Sequence, residues 1–257
     1  MSAAIYKTDG TTALASYRSI SATGTSYTFS LTTTERNAIR GASTTSNTLN
    51  VRFYIKTTIS GTDYYDYVAK TITIANANPT ITATVTDSNS TTTALTGDSS
   101  KFVLGYSNAS CSMSASAKKS ATITQTSING TTGITTKTIN GISQSSVVFT
   151  ATDSRGNTTT TTKNLTMVNY VKLTCNFEPE NPTAAGNMSL TISGNYFNSS
   201  FGSVSNTLTV KYRYKEQGGS FGSWVTLTAS KSGNTYTATD SLTGLDYQKA
   251  YVFEAYS

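Results

Sequence analysis

The chain has 257 residues, no histidine and a net charge of +6, and only 12% of its residues are charged, roughly half the ~25% usual in globular domains. The missing histidine excludes serine–histidine and cysteine–histidine nucleophile systems, and no stretch approaches the ~18 apolar residues of a membrane-spanning helix. With 16 Tyr, 9 Phe and abundant Thr, the composition favours pleated, half-buried strands over a disordered chain.

The opening residues Met1 to Tyr6 carry neither a basic run nor an apolar core, so no secretion signal is expected there. Release by lysis is the expected route to any extracellular role. The first clear element is a helix. Thr32-Thr33-Thr34-Glu35 has the spacing of a capping box, in which the Thr hydroxyl and the Glu carboxylate each satisfy a backbone N–H of the other. This predicts a helix over 33–40 that crosses between two sheets, with Gly41 as its left-handed stop. Leu49, Val51, Phe53 and Ile55 then alternate with Asn50, Arg52, Tyr54 and Lys56, the period of a strand with one dry and one wet face. Ser60-Gly61 is a hairpin turn signal. After it, Tyr64, Tyr65 and Tyr67 cluster with Asp63 and Asp66. Exposed, such tyrosines could stack on sugars or line a protein interface; the simpler reading is that alternate members face inward from a strand.

Further along, Asp87-Ser88-Asn89 and Asp153-Ser154-Arg155-Gly156-Asn157 place oxygens in turns. They are too sparse in acids for a calcium loop, and side chains bonding their own backbone is the simpler reading. Cys111 and Cys175 are read as buried thiols on strands, too few and too far apart for a disulfide framework. Val171, Leu173, Cys175 and Phe177 alternate as a strand, as do Met188, Leu190 and Ile192, and Leu208, Val210, Tyr212 and Tyr214. The last of these puts Lys211, Arg213 and Lys215 on the opposite face. That row could meet an anionic polymer, or be a solvated face or a sheet edge guarded against aggregation. Trp224, the single tryptophan, is expected in a core. Of the acid pairs, Asp63/Asp66 flank Tyr64 and Tyr65 and Glu178/Glu180 flank Pro179 in what reads as a surface loop; neither reads as a catalytic pair across a cleft, so no catalytic, metal or cofactor residues are assigned.

An internal echo suggests the organisation. Lys70-Thr71-Ile72-Thr73-Ile74-Ala75-Asn76 resembles Lys163-Asn164-Leu165-Thr166-Met167-Val168-Asn169, about 93 residues on, a usual sandwich length. The expected fold is all-β, with three β-sandwich modules at 1–77, 78–169 and 170–257 in an elongated array. The last module looks short of a closing strand.

Several segments, in order, carry a family resemblance: Ser26-Tyr27-Thr28-Phe29-Ser30-Leu31, the capped helix, Asn76-Ala77-Asn78-Pro79-Thr80, Asp87 to Thr92, Gly105-Tyr106-Ser107-Asn108, the Asp153–Asn157 hairpin and Tyr212-Arg213-Tyr214-Lys215. Together they resemble the minor structural tail proteins of siphophages and prophages of Gram-positive bacteria. The resemblance implies Ig-like modules at 1–77 and 78–169, a fibronectin-III-like module at 170–257, and a non-enzymatic spacer in the virion tail tip or fibre that acts in host attachment. It also implies other tail proteins and copies of the chain itself as partners, in a trimer or hexamer, with host cell-wall glycan as a further candidate. Nucleic acid, membrane insertion and cofactors are not expected. The alternative is a bacterial surface adhesin or stalk of Ig-like repeats. Candidate surface-binding residues are Tyr64, Tyr65, Lys211, Arg213 and Lys215.

Overall fold

A computed structural model describes residues 1–257. The chain forms strands β1 (Ser2–Lys7), β2 (Ala13–Ser19), β3 (Thr48–Ile59), β4 (Thr62–Thr73), β5 (Thr80–Asp87), β6 (Lys101–Val103), β7 (Ala109–Ser116), β8 (Ile123–Ile128), β9 (Thr131–Thr132) and β10 (Thr136–Ile139). These are followed by β11 (Ser146–Asp153), β12 (Thr158–Asn164), β13 (Thr166–Val168), β14 (Asn176–Pro179), β15 (Met188–Asn195), β16 (Val210–Glu216), β17 (Val225–Leu227), β18 (Ser230–Ser232), β19 (Thr235–Leu242) and β20 (Tyr251–Tyr256). Two short helices, α1 (Thr33–Gly41) and α2 (Ser90–Thr96), complete the set. The protein is therefore all-β. It divides into two compact units. One holds Met1–Val85, Ser110–Thr138 and Ser146–Asn164; the other holds Thr86–Ala109, Ile139–Ser145 and Leu165–Ser257.

In the first unit, strands β2-β1-β3-β4 make one four-stranded sheet. The β3–β4 turn is Ser60-Gly61, with φ of 49° and 81°, the paired positive values that match the strands' own twist. Helix α1 covers this sheet through Ile39, which packs with Ile5, Leu14, Val51 and Ile74, instead of crossing between two sheets. Its capping box forms as the sequence predicts: the Glu35 N–H donates to Thr32 Oγ1, and the Thr32 N–H donates to the Glu35 carboxylate. Its end differs. The helix runs through Gly41 and closes on Ala42 at φ −73°, whose N–H donates to the Ala38 carbonyl; Arg155 adds a side-chain donor to the Arg40 carbonyl, as described below. The remainder of the unit contains the sheet β12-β11-β8-β9 and most of the sheet β10-β7-β5. Along β11, Val147, Phe149, Ala151 and Asp153 are buried at alternate positions. A one-residue slip would put all four in water.

In the second unit, sheets β14-β15-β19-β18 and β17-β16-β20 face each other across a core of Leu190, Ile192, Val210, Tyr212, Tyr236 and Ala238. The alternation predicted for 208–214 holds, with Val210 and Tyr212 inside. The strand expected over 171–177 begins only at Asn176; Leu173 and Cys175 are exposed. Cys111 is buried, as expected. Helix α2 was not expected. Asn89 caps its start and Gly97, at φ 67°, ends it. Residues 90–96 are rich in Thr, a poor helix former, so the caps and the contacts around the helix supply the stability that the segment lacks.

Candidate functional site

Each unit carries an exposed sheet face where aromatic rings and cations are set together. In the first unit the register pairs Tyr54 with Tyr67 and Lys56 with Tyr65. Tyr17, Tyr6, Tyr54 and Tyr67, one from each strand, therefore form a row across the sheet, with ring centroids 6.0, 5.2 and 5.2 Å apart in turn. Tyr65 joins beside Tyr17 at 6.3 Å. The Arg52 guanidinium lies 4.4 Å from the Tyr67 ring centre and Lys56 Nζ 5.5 Å from that of Tyr17, within cation–π range. Burial and the neighbouring tyrosines Tyr6 and Tyr65 raise the Tyr17 pKa.

Tyr64 is not part of this row. It pairs with Thr57 and, by strand alternation, projects from the other face of β4 alongside Ile55 and Val68. Neither reading of the tyrosine cluster holds whole. Its members lie on a strand, not a loop, yet none faces a core: Tyr64, Tyr65 and Tyr67 are 55%, 57% and 47% exposed. The hairpin extends past the packed part of its sheet. Asp63, at its far end, accepts from the Thr58 hydroxyl at 2.5 Å and from Lys56 Nζ at 3.1 Å. These contacts, the Thr58 hydroxyl first, lower its pKa.

In the second unit, Lys211, Arg213 and Lys215 do share the outer face of β16. The row is not a guarded edge, because β16 is the central strand of its sheet. Trp224, immediately before β17, and Tyr256 on β20 flank it. Lys211 Nζ sits 4.8 Å from the Trp224 ring centre and 4.6 Å from that of Tyr256. Arg213 lies 4.5 Å from Phe221 and 4.7 Å from Trp224, and Lys215 lies 4.7 Å from Phe221. Trp224 is therefore on the outside, 37% exposed, where its ring shields two cations. Arg213 also bonds Glu254 through Nε (2.7 Å) and Nη2 (2.6 Å). Lys211 and Lys215 make no salt bridge. Alternate positions on a strand are about 6.8 Å apart, so the face presents cations in a regular row separated by rings. That arrangement suits a ligand with repeated anionic groups and flat or aliphatic surface between them.

The turn acids have structural roles. Asp153 accepts from the backbone N–H groups of Arg155 and Asn157, each at 2.9 Å, and from Asn157 Nδ2. Burial raises its pKa, but the Asn157 side chain, these N–H groups and Arg155 outweigh that and lower it. Asp87 is buried and accepts from Thr92 Oγ1 (2.5 Å), Ser107 Oγ (2.7 Å) and the N–H groups of Asn89 and Asn108 (3.0 Å each). Glu178 accepts from Asn176 Nδ2 at 2.7 Å.

Two contact sets escaped sequence reasoning. Arg155 is 8% exposed. It donates to backbone carbonyls of Ser43 (2.7 Å), Arg40 (3.1 Å) and Lys119 (2.7 Å), while Ser154 Oγ reaches the Thr44 carbonyl. In the second unit, Ser203 Oγ donates to the carbonyls of Ala94 and Leu95 (2.9 Å each) at the end of α2, beside a cluster of Val103, Phe197, Phe201 and Tyr170. The signals were a lone Arg in a polar hairpin and an Asn89…Gly97 pair with helical cap chemistry; Arg155 lies over 100 residues from Arg40 and Ser43, and Ser203 over 100 from Ala94 and Leu95. A cavity of about 350 Å³ in this unit is lined by Tyr170, Tyr196, Phe197 and Asn206, and the buried Tyr196 hydroxyl has no partner.

No protein-family model, curated protein or solved structure matches the chain.

Proposed function

We propose that the protein is a non-enzymatic structural component of a bacteriophage or phage-like tail tip or fibre, a spacer and scaffold in host attachment made of Ig-like and fibronectin-III-like modules. The ordered series of segments from Ser26 to Lys215 that resembles minor tail proteins supports the phage assignment. One structural observation supports the scaffold role: the Asp153–Asn157 hairpin is built as a clamp. Arg155 spends its donors on carbonyls from the first 77 residues and from Lys119, and Asn157 and Asn76 bond reciprocally at 2.6 Å. Successive strand-rich segments are thereby held in a fixed register, the property a spacer requires.

Mass spectrometry of purified virions from the source, with antibody labelling in electron microscopy, tests the reading. Peptides of this chain in the particle and label at the tail end are expected. Particles lacking the chain, or recovery of the protein from the bacterial cell wall instead, would overturn it.

A further inference from the structure

We propose that strand β4 is a self-recognition edge, through which two copies of the chain join their four-stranded sheets antiparallel about a twofold axis at Val68. β4 is the outer strand of its sheet, 12 residues long, and pairs with β3 from Thr62 to Thr73 without a register shift. It contains no proline, glycine or bulge, the usual devices that stop one sheet edge from pairing with another. All its residues except Ile72 are exposed, including Tyr64, Tyr65, Tyr67 and Val68.

The register follows from the ladder and the charges. The Ser60-Gly61 turn closes on the pair Ile59–Thr62. In a two-residue hairpin that pair is hydrogen-bonded, and bonding then alternates along the strand. The N–H and C=O groups of Tyr65, Tyr67, Ala69 and Thr71 therefore point away from β3. The Tyr67 N–H is held by the Asp66 carboxylate of its own chain at 2.8 Å, and it becomes available to a second strand as that carboxylate turns to a new partner. Asp66 and Lys70 have no ion-pair partner. An antiparallel copy centred on Val68 sets Asp66 of each chain against Lys70 of the other, so both charges are paired at once. The same register puts Val68 on Val68, Tyr64 on Ile72 and Tyr67 on Ala69, and forms about eight new backbone hydrogen bonds. Tyr67 meets its own copy diagonally, about 7–8 Å away and within reach of an aromatic ring. The tyrosine row then runs unbroken over eight strands. The strand's charges would be gatekeepers against pairing if they repelled their own image. Here they attract it.

The inference does not depend on the tail assignment. The test is the oligomeric state of the full chain by light scattering coupled to size exclusion, at tens of micromolar, for the native chain, Asp66→Lys, Lys70→Asp and an equimolar mixture of the two variants. The native chain should dimerise. Each variant sets like charges opposite each other and should weaken dimerisation about tenfold or more, with its circular dichroism unchanged. Mixing the two restores opposite charges at both positions and should give a heterodimer. A monomeric native chain, single variants that dimerise undiminished, or a mixture that stays monomeric would each overturn the proposal.

Discussion

The C-terminal carbonyls of both helices are gripped by side chains from far along the chain, but by different chemistry. At the end of α1 a buried guanidinium, held next to the Asp153 carboxylate, makes a directional fan of bonds. At the end of α2 a single hydroxyl does this work, and the rings of Phe197, Phe201 and Tyr170 beside it supply the contact area. The first arrangement tolerates almost no change of shape, since a planar fork fits its acceptors only one way. The second depends on apolar area, which a differently shaped side chain can partly replace.

Five variants would break or sharpen this contrast. Arg155→Ala is expected to have the largest effect, about 3 kcal/mol in urea unfolding, because it takes the side-chain donor from three carbonyls and the nearby positive charge from the buried Asp153 carboxylate. Arg155→Lys should recover less than half of that. Recovery of most of it would mean that charge alone matters there. Phe201→Ala should cost about 3 kcal/mol, but Phe201→Leu less than about 1.5 kcal/mol; an equal loss for both would make this junction as shape-strict as the other. Ser203→Ala should cost about 1 kcal/mol, read by the same unfolding curves.

The smallest effect concerns the other end of α1. Arg18 and the Thr32 cap bind Glu35, and the Thr32 N–H first, then Arg18, lower its pKa from 4.5 to about 2. A lowered carboxylate pKa means that the contribution is whole above about 4.5 and fades as pH falls towards 2. Thermal melts should show Glu35→Gln less stable than the native chain at pH 7, with the gap closing across that interval. A constant gap would show that the carboxylate charge is not what stabilises the cap.

Much of the architecture was legible because it is local. Alternation from Leu49 to Lys56 and from Leu208 to Lys215 gave strand faces, since a strand's period is visible within a few residues. The capping box at Thr32 and Glu35 is complete within four positions. What failed was set by distant partners. Trp224 is expected inside because large rings bury area well; two cations on the outer face of β16, Lys211 and Arg213, hold it outside. The three tyrosines were expected to be sorted by a core, but the hairpin extends beyond it, so alternation separates Tyr64 from Tyr65 without burying either. Cys175 lost its strand because pairing starts one residue later. α2 was invisible because its own residues disfavour a helix.

The Arg155 clamp also has a consequence for synthesis. Ribosomes emit the α1 carbonyls more than 110 residues before the guanidinium that will bind them. Until residue 155 emerges, the end of that helix has only its own backbone N–H groups and water as partners, so the side-chain half of its cap is added late, when the hairpin closes over it.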